Sequence, residues 1–87
     1  MVDHPEGWAE VEGALERDFR FRDFVEAIAF VNRLAEAAEA ANHHPDLAIS
    51  WNRVTVRWCT HAAQAITDRD VELARRTDEL ASSSSPQ

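Results

Sequence analysis

One stretch, Asp23 to Pro45, limits what this 87-residue chain can fold into more than any other. Phe24, Ala27, Ile28, Val31, Leu34, Ala35 and Ala38 recur at spacings of three and four, the stripe of an amphipathic helix. Glu26, Asn32, Arg33, Glu36 and Glu39 fall largely off it. Asp23 can accept from the amide three residues on, and Glu26 can reach back, so a capping box marks the start. Pro45 disfavours helical geometry at His44, which stops the helix near Asn42. Ala35, Ala37, Ala38, Ala40 and Ala41 combine high helix propensity with little bulk, so that end can approach a sheet closely. A helix over 23–41 with one apolar side needs a surface to cover it.

Period-two segments on both sides supply that surface. Residues 7–21 predict two short strands, with Glu12-Gly13 as the turn because glycine tolerates positive φ. Leu15, Phe19 and Phe21 share one face of the second, and Glu16, Asp18 and Arg20 the other. Arg17 interrupts the apolar face and suggests that the strand starts near a sheet edge. Residues 47–60 predict a hairpin with Asn52-Arg53 as a two-residue turn. Leu47, Ile49 and Trp51 alternate with Ala48 and Ser50; Val54, Val56 and Trp58 then face the core, and Thr55 and Arg57 face out. A second helix is expected over 67–81, capped by Thr67 and Asp70, with Ile66 stapled to Val71. Its stripe is Val71, Ala74, Asp78 and Ala81, with Leu73 and Leu80 beside it. The order β-β-α-β-β-α predicts an α+β fold, a four-stranded antiparallel sheet with both helices packed on one face.

One domain is expected over 1–81, followed by a disordered Ser-rich tail, 82–87, which contains no apolar residue. Folding at this size buries only about 60% of the unfolded surface, so the core is thin and a subunit contact would help. The formal charge of −7 argues against nucleic acid as a direct partner, since phosphate binding needs clustered Lys and Arg. A single cysteine, Cys59, excludes an intramolecular disulfide and a Cys-rich zinc site. No apolar run approaches the roughly 20 residues that span a bilayer, and the first residues lack a signal-peptide pattern, so a cytoplasmic setting is expected.

Chemistry points to the histidines. Of four, His43, His44 and His61 bracket the predicted hairpin. Imidazole exchanges protons near neutral pH, so two such rings on opposite sides of a small substrate serve as acid and base. Glu39 lies one helical turn before His43 and could orient that ring. The same residues have plainer uses: protonated histidines favour a helix C-terminus, Trp51 can be core, and Asp70 can be only a cap. A metal reading has Cys59 and His61 on one strand face with His43 or His44, at most three ligands from this set. No nucleophile elbow supports a Ser-His-Asp triad.

Glu39, His43, His44, Pro45, Trp51, His61 and Asp70 in this order and spacing resemble the pterin-4a-carbinolamine dehydratases, also called 4a-hydroxytetrahydrobiopterin dehydratases. The likeness extends through Gly7-Trp8, Leu15 to Phe24, Phe30-Val31-Asn32-Arg33, Thr60-His61 and Thr67-Asp68-Arg69-Asp70, or about residues 7–81. Where the family commonly carries glycines after the third histidine, this chain has Ala62-Ala63-Gln64-Ala65. The resemblance implies loss of water from a 4a-hydroxytetrahydropterin to give the quinonoid dihydropterin. His43 and His61 would transfer protons and His44 would hold the pterin. Glu39 would tune the His43 side, Asp70 would support His61 or the site wall, and Trp51 would shape the pocket. It implies no metal or organic cofactor, a homo-oligomer (dimer or tetramer), and a link to aromatic amino acid hydroxylases. The family also includes coactivators and assembly factors, so a non-catalytic interaction module on the same fold is the alternative.

Overall fold

Two tight turns set the sheet. The computed structural model describes residues 5–60, 62–63 and 65–84, with side chains as far as Ser82. Glu12 and Gly13, both at positive φ (50° and 78°), reverse the chain between β1 (Ala9–Val11) and β2 (Ala14–Arg20). The second hairpin joins β3 (Asp46–Ser50) to β4 (Arg53–Trp58), with Ser50 opposite Arg53. Its turn is therefore Trp51-Asn52, one residue earlier than expected, and Trp51 takes the left-handed conformation (φ 54°). The shift follows from Asn52, whose carbonyl accepts from Phe21 N at 2.8 Å and whose Nδ2 donates to Phe21 O at 3.0 Å. Asn52 is thereby fixed at the end of β2 and cannot also begin a later turn.

The sheet is antiparallel throughout, in the order β1-β2-β4-β3. β2 is thus an interior strand, and the expectation that it starts near an edge is corrected. Arg17 is tolerated on its apolar face because Asp78 of the second helix pairs with it at 3.0 Å and its guanidinium lies 5.0 Å from the Phe19 ring centroid.

α1 (Phe24–Ala41) is capped as expected: the Asp23 carboxylate accepts from Glu26 N at 2.9 Å. Its buried face is Ala27, Phe30, Leu34 and Ala38. Phe30 replaces Phe24 and Ala35, which are exposed, because the helix is rotated to put its one interior ring between Phe19 and Phe21, with centroids at 5.3 and 5.0 Å. α2 (Asp68–Ser84) buries Val71, Ala74 and Leu80 and also Asp70 and Thr77, each fully enclosed. Thr77 escapes a reading by hydrophobicity because its hydroxyl is used twice, accepting from Trp58 Nε1 at 3.0 Å and donating to Leu73 O at 2.6 Å. Ser82–Ser84 continue α2, so the tail expected from residue 82 is corrected there; adding a turn to an existing helix costs little compared with nucleating one. Residues 85–87 lie outside the described residues. Both helices cover the sheet face that carries Leu15, Phe19, Val54, Val56 and Trp58.

Candidate functional site

The site begins where α1 stops. Asn42 is left-handed (φ 52°), its N–H bonds Glu39 O at 3.1 Å, and His43 N–H bonds back to Ala38 O at 3.1 Å. This pair of bonds is a Schellman closure, and it turns the chain out of helical register. His43 consequently does not sit one turn above Glu39.

Instead His43 is carried under the first turn of α2. Its Nε2 lies 2.7 Å from Asp70 Oδ1, with the imidazole 11% and the carboxylate 0% exposed. The ring lies flat on Trp58, with centroids 5.7 Å apart and planes 6° from parallel. The other carboxylate oxygen, Oδ2, accepts from Thr67 N at 2.8 Å, Thr60 Oγ1 at 2.8 Å and Thr67 Oγ1 at 3.3 Å. Asp70 is therefore both the expected α2 cap and the group that orients His43. A carboxylate only accepts, so the neutral His43 ring carries its proton on Nε2 and keeps the Nδ1 lone pair for a ligand.

Glu39 turns to the other histidine: its Oε2 lies 2.5 Å from His44 Nε2, and both side chains are exposed. Glu39, expected on the His43 side, thus lies on His44, and Asp70, expected to support His61 or the site wall, lies on His43. The reason is the left-handed residue between them, which no spacing rule for continuous helices includes.

A cleft of about 400 Å³ opens beside these groups, lined by residues 42–46 with Thr60, Ala62 and Arg69. Arg69 also donates to Ala41 O, tying the first turn of α2 to the last carbonyls of α1. His61 lies outside the described residues, so its expected convergence with His43 and His44 is not part of this geometry. Its chain neighbours Thr60 and Ala62 line the cleft. Trp51 is not in the cleft. It is 69% exposed at the tip of the β3–β4 hairpin, five residues from Asp46, or about 16 Å along an extended strand.

Thr60, Thr67 and Trp58 are site residues that the sequence reading did not assign. Trp58 looked like core, which it also is; the cap at Thr67 was the one signal, since a capping carboxylate has a second oxygen to offer. Burial, and after it the charges of Asp70 and Asp46, push the Cys59 thiol up, which disfavours the thiolate that a metal ligand requires. A second cleft of about 350 Å³ lies between β2 and the end of α2. There Asp78 is already bound by Arg17 at 3.0 Å and by Trp8 Nε1 at 3.0 and 3.1 Å, a structural lock between strand, helix and N-terminal segment.

The family model described as Pterin 4 alpha carbinolamine dehydratase matches residues 1–80. A relative from Thermosynechococcus vestitus, provisionally named a pterin-4-alpha-carbinolamine dehydratase, is 55% identical over 86% of this chain and 79% of its own length. One from Thermomicrobium roseum with the same provisional name is 54% identical over 87% of this chain and 82% of its own. A crystal structure described as a transcriptional coactivator/pterin dehydratase from Brucella melitensis superposes with a TM-score of 0.84 at 36% identity, covering 87% of this chain and 83% of that one. A pterin dehydratase-like protein described as a RuBisCO assembly factor in the alpha-carboxysome shares the fold, with a TM-score of 0.71 at 21% identity over 85% of this chain and 86% of its own.

Proposed function

This chain belongs to the pterin 4 alpha carbinolamine dehydratase family, and on that premise we propose that it removes water from a 4a-hydroxytetrahydropterin to give the quinonoid dihydropterin. The observation that carries the reading is the His43–Asp70 pair at the edge of the cleft, a ring fixed by a buried carboxylate and stacked on Trp58. In this reading His43 and His61 are the proton-transferring residues, and His44, braced by Glu39, holds the pterin.

Hydroxide is a poor leaving group, so the 4a-oxygen takes a proton from one histidine as the C–O bond breaks, and it departs as water. The electron pair that expels it comes from the substrate's own ring nitrogen, which gives its proton to the other histidine. Substrate minus one water is the product, and the two imidazoles regain their starting protonation through solvent. No metal or organic cofactor enters, since the substrate supplies the electrons. Asp70 accepts the Nε2 proton of His43 throughout, so Nδ1 is the nitrogen that exchanges with substrate.

The test is loss of the carbinolamine followed against its spontaneous rate. His43→Ala and His61→Ala are each expected to slow the wild-type reaction by about 10²-fold or more. A wild-type protein that leaves the spontaneous rate unchanged would refute the proposal. A second reading, an interaction module, is favoured by the apolar strip on α1, where Phe24 is 50% and Val25 75% exposed beside Ile28 and Ala29. A tight protein partner with no pterin turnover would select it. The proposal extends to a cytoplasmic homo-oligomer, dimer or tetramer, that serves an aromatic amino acid hydroxylase.

A further inference from the structure

Among the described residues the two buried polar side chains, Asp70 and Thr77, both lead to His43. Each is 0% exposed, and they stand seven positions apart on α2, about 10 Å along its axis, with the buried Ala74 between them. A buried polar group is costly without a partner. Asp70 meets His43 directly, at 2.7 Å from Nε2. Thr77 reaches the same ring at one remove. Its hydroxyl accepts from Trp58 Nε1 at 3.0 Å, and the Trp58 indole lies against the imidazole, 5.7 Å between centroids and 6° from parallel.

The two restraints act on different freedoms. An imidazole turns about its Cβ–Cγ bond in a broad torsional well. That axis leaves the ring between Nε2 and Cε1. Nε2 lies close to it and stays near Asp70 through a modest rotation, whereas Nδ1, farther from the axis, swings out of line. The Asp70 bond therefore keeps the proton on Nε2 but sets the direction of Nδ1 only loosely. A flat neighbour supplies what is missing, because the same rotation tips the imidazole against the indole. The indole is held in turn by its N–H on Thr77, and the Thr77 hydroxyl by its own bond to Leu73 O at 2.6 Å.

We propose that Thr77 is a positioning residue: through the Trp58 indole it fixes the plane of His43, and so aims Nδ1 at the atom with which it exchanges a proton. Trp58 is the positioning residue between them, and neither lines the cleft. The restraint stands on the contacts alone; its effect on turnover rests on the dehydratase reading.

Thr77→Val keeps the shape and removes the acceptor, so the buried indole must tip towards another. The kcat of carbinolamine loss is expected to fall about tenfold with KM within about twofold, because a small misplacement of a reacting group is costly. Thr77→Ser, which restores the hydroxyl, should return kcat to within about twofold of wild type. Without substrate, the His43 ring protons, shielded by the indole face in the wild type, should move downfield in Thr77→Val and stay in place in Thr77→Ser. Either a wild-type kcat or unmoved His43 signals in Thr77→Val overturns the proposal. A second variant serves if the valine chain does not fold. Trp58→Phe keeps a buried ring without an N–H, so there the valine leaves nothing unpaired, and adding Thr77→Val should lower kcat by less than about twofold more. A further loss of about tenfold in that background would place Thr77 outside the Trp58 route and overturn the relay. Wild-type protein without turnover would refute the dehydratase reading, while the His43 signals still decide the restraint.

Discussion

Asp70→Asn changes one atom and tests most of the site's logic. Thr67 N donates to Asp70 Oδ2 at 2.8 Å, and a backbone amide cannot become an acceptor, so the asparagine oxygen must stay on that side. The new NH2 then faces His43 Nε2, which sits 2.7 Å from Oδ1 and has been a donor. His43 must move its proton to Nδ1 or leave two donors in contact. Charge-assisted bonds worth about 1.5–3 kcal/mol become neutral ones worth about 0.5–1.5, so a net loss of about 2 kcal/mol is expected. For a domain of this size that lowers Tm by roughly 8–16 °C. Turnover should fall further than stability explains, by about 10²–10⁴-fold, because Nδ1 no longer has a free lone pair. Imidazole 15N spectra report the tautomer, thermal unfolding the stability, and carbinolamine loss the rate. An unchanged tautomer with turnover within about threefold of wild type would refute the orientation argument.

Other perturbations separate structural from chemical roles. Gly7→Ala puts a Cβ 2.7 Å from Arg17 Nη1 at a φ of +94°, so a loss of about 1–3 kcal/mol is expected in urea unfolding, partly recovered when Arg17 is shortened. Equal costs with and without Arg17 would show that the backbone alone is responsible. Thr77→Val leaves the buried Trp58 Nε1–H without its acceptor and should cost about 1–3 kcal/mol, whereas a neutral result would mean the indole finds another partner. Glu39→Gln, at an exposed pair with His44, should change stability by less than about 1 kcal/mol, and a larger drop in Tm would contradict its placement at the surface. The raised Cys59 thiol keeps its proton in the folded chain at pH values where the unfolded chain has lost it. The stability this gives is whole below the ordinary thiol range, near ~8.5, and is lost as pH rises through the folded value. Iodoacetamide at pH 9 should therefore alkylate the native chain more slowly than the unfolded one; equal rates would contradict the shift.

Much of the fold was legible because local signals agreed with one another. Asp23 and Glu26 started α1, the alternation of Val54, Val56 and Trp58 set β4, and the strand-strand-helix order left one economical sheet. Positions failed where tertiary contacts chose among equivalent residues. Phe24 and Phe30 fit a helical stripe about equally well, and only the rings of Phe19 and Phe21 decide between them. The Trp51-Asn52 turn depended on Phe21, thirty-one positions from Asn52. At the site the observed partnerships differ from the expected ones. Glu39 and His43 are four apart, but the left-handed Asn42 intervenes, and the acid that holds His43 comes from α2, twenty-seven positions away. Thr77 carries a buried polar bond, and Thr60 and Thr67 half-buried ones, that hydrophobic periodicity does not register.

The central claim is that this cleft dehydrates a pterin carbinolamine through its histidines. The most direct measurement is the single-turnover rate of 4a-hydroxytetrahydropterin loss with wild type and with the His43→Ala/His61→Ala double variant. Wild type is expected to outrun the spontaneous reaction and the double variant to fall back to it. A double variant as fast as wild type would contradict the account.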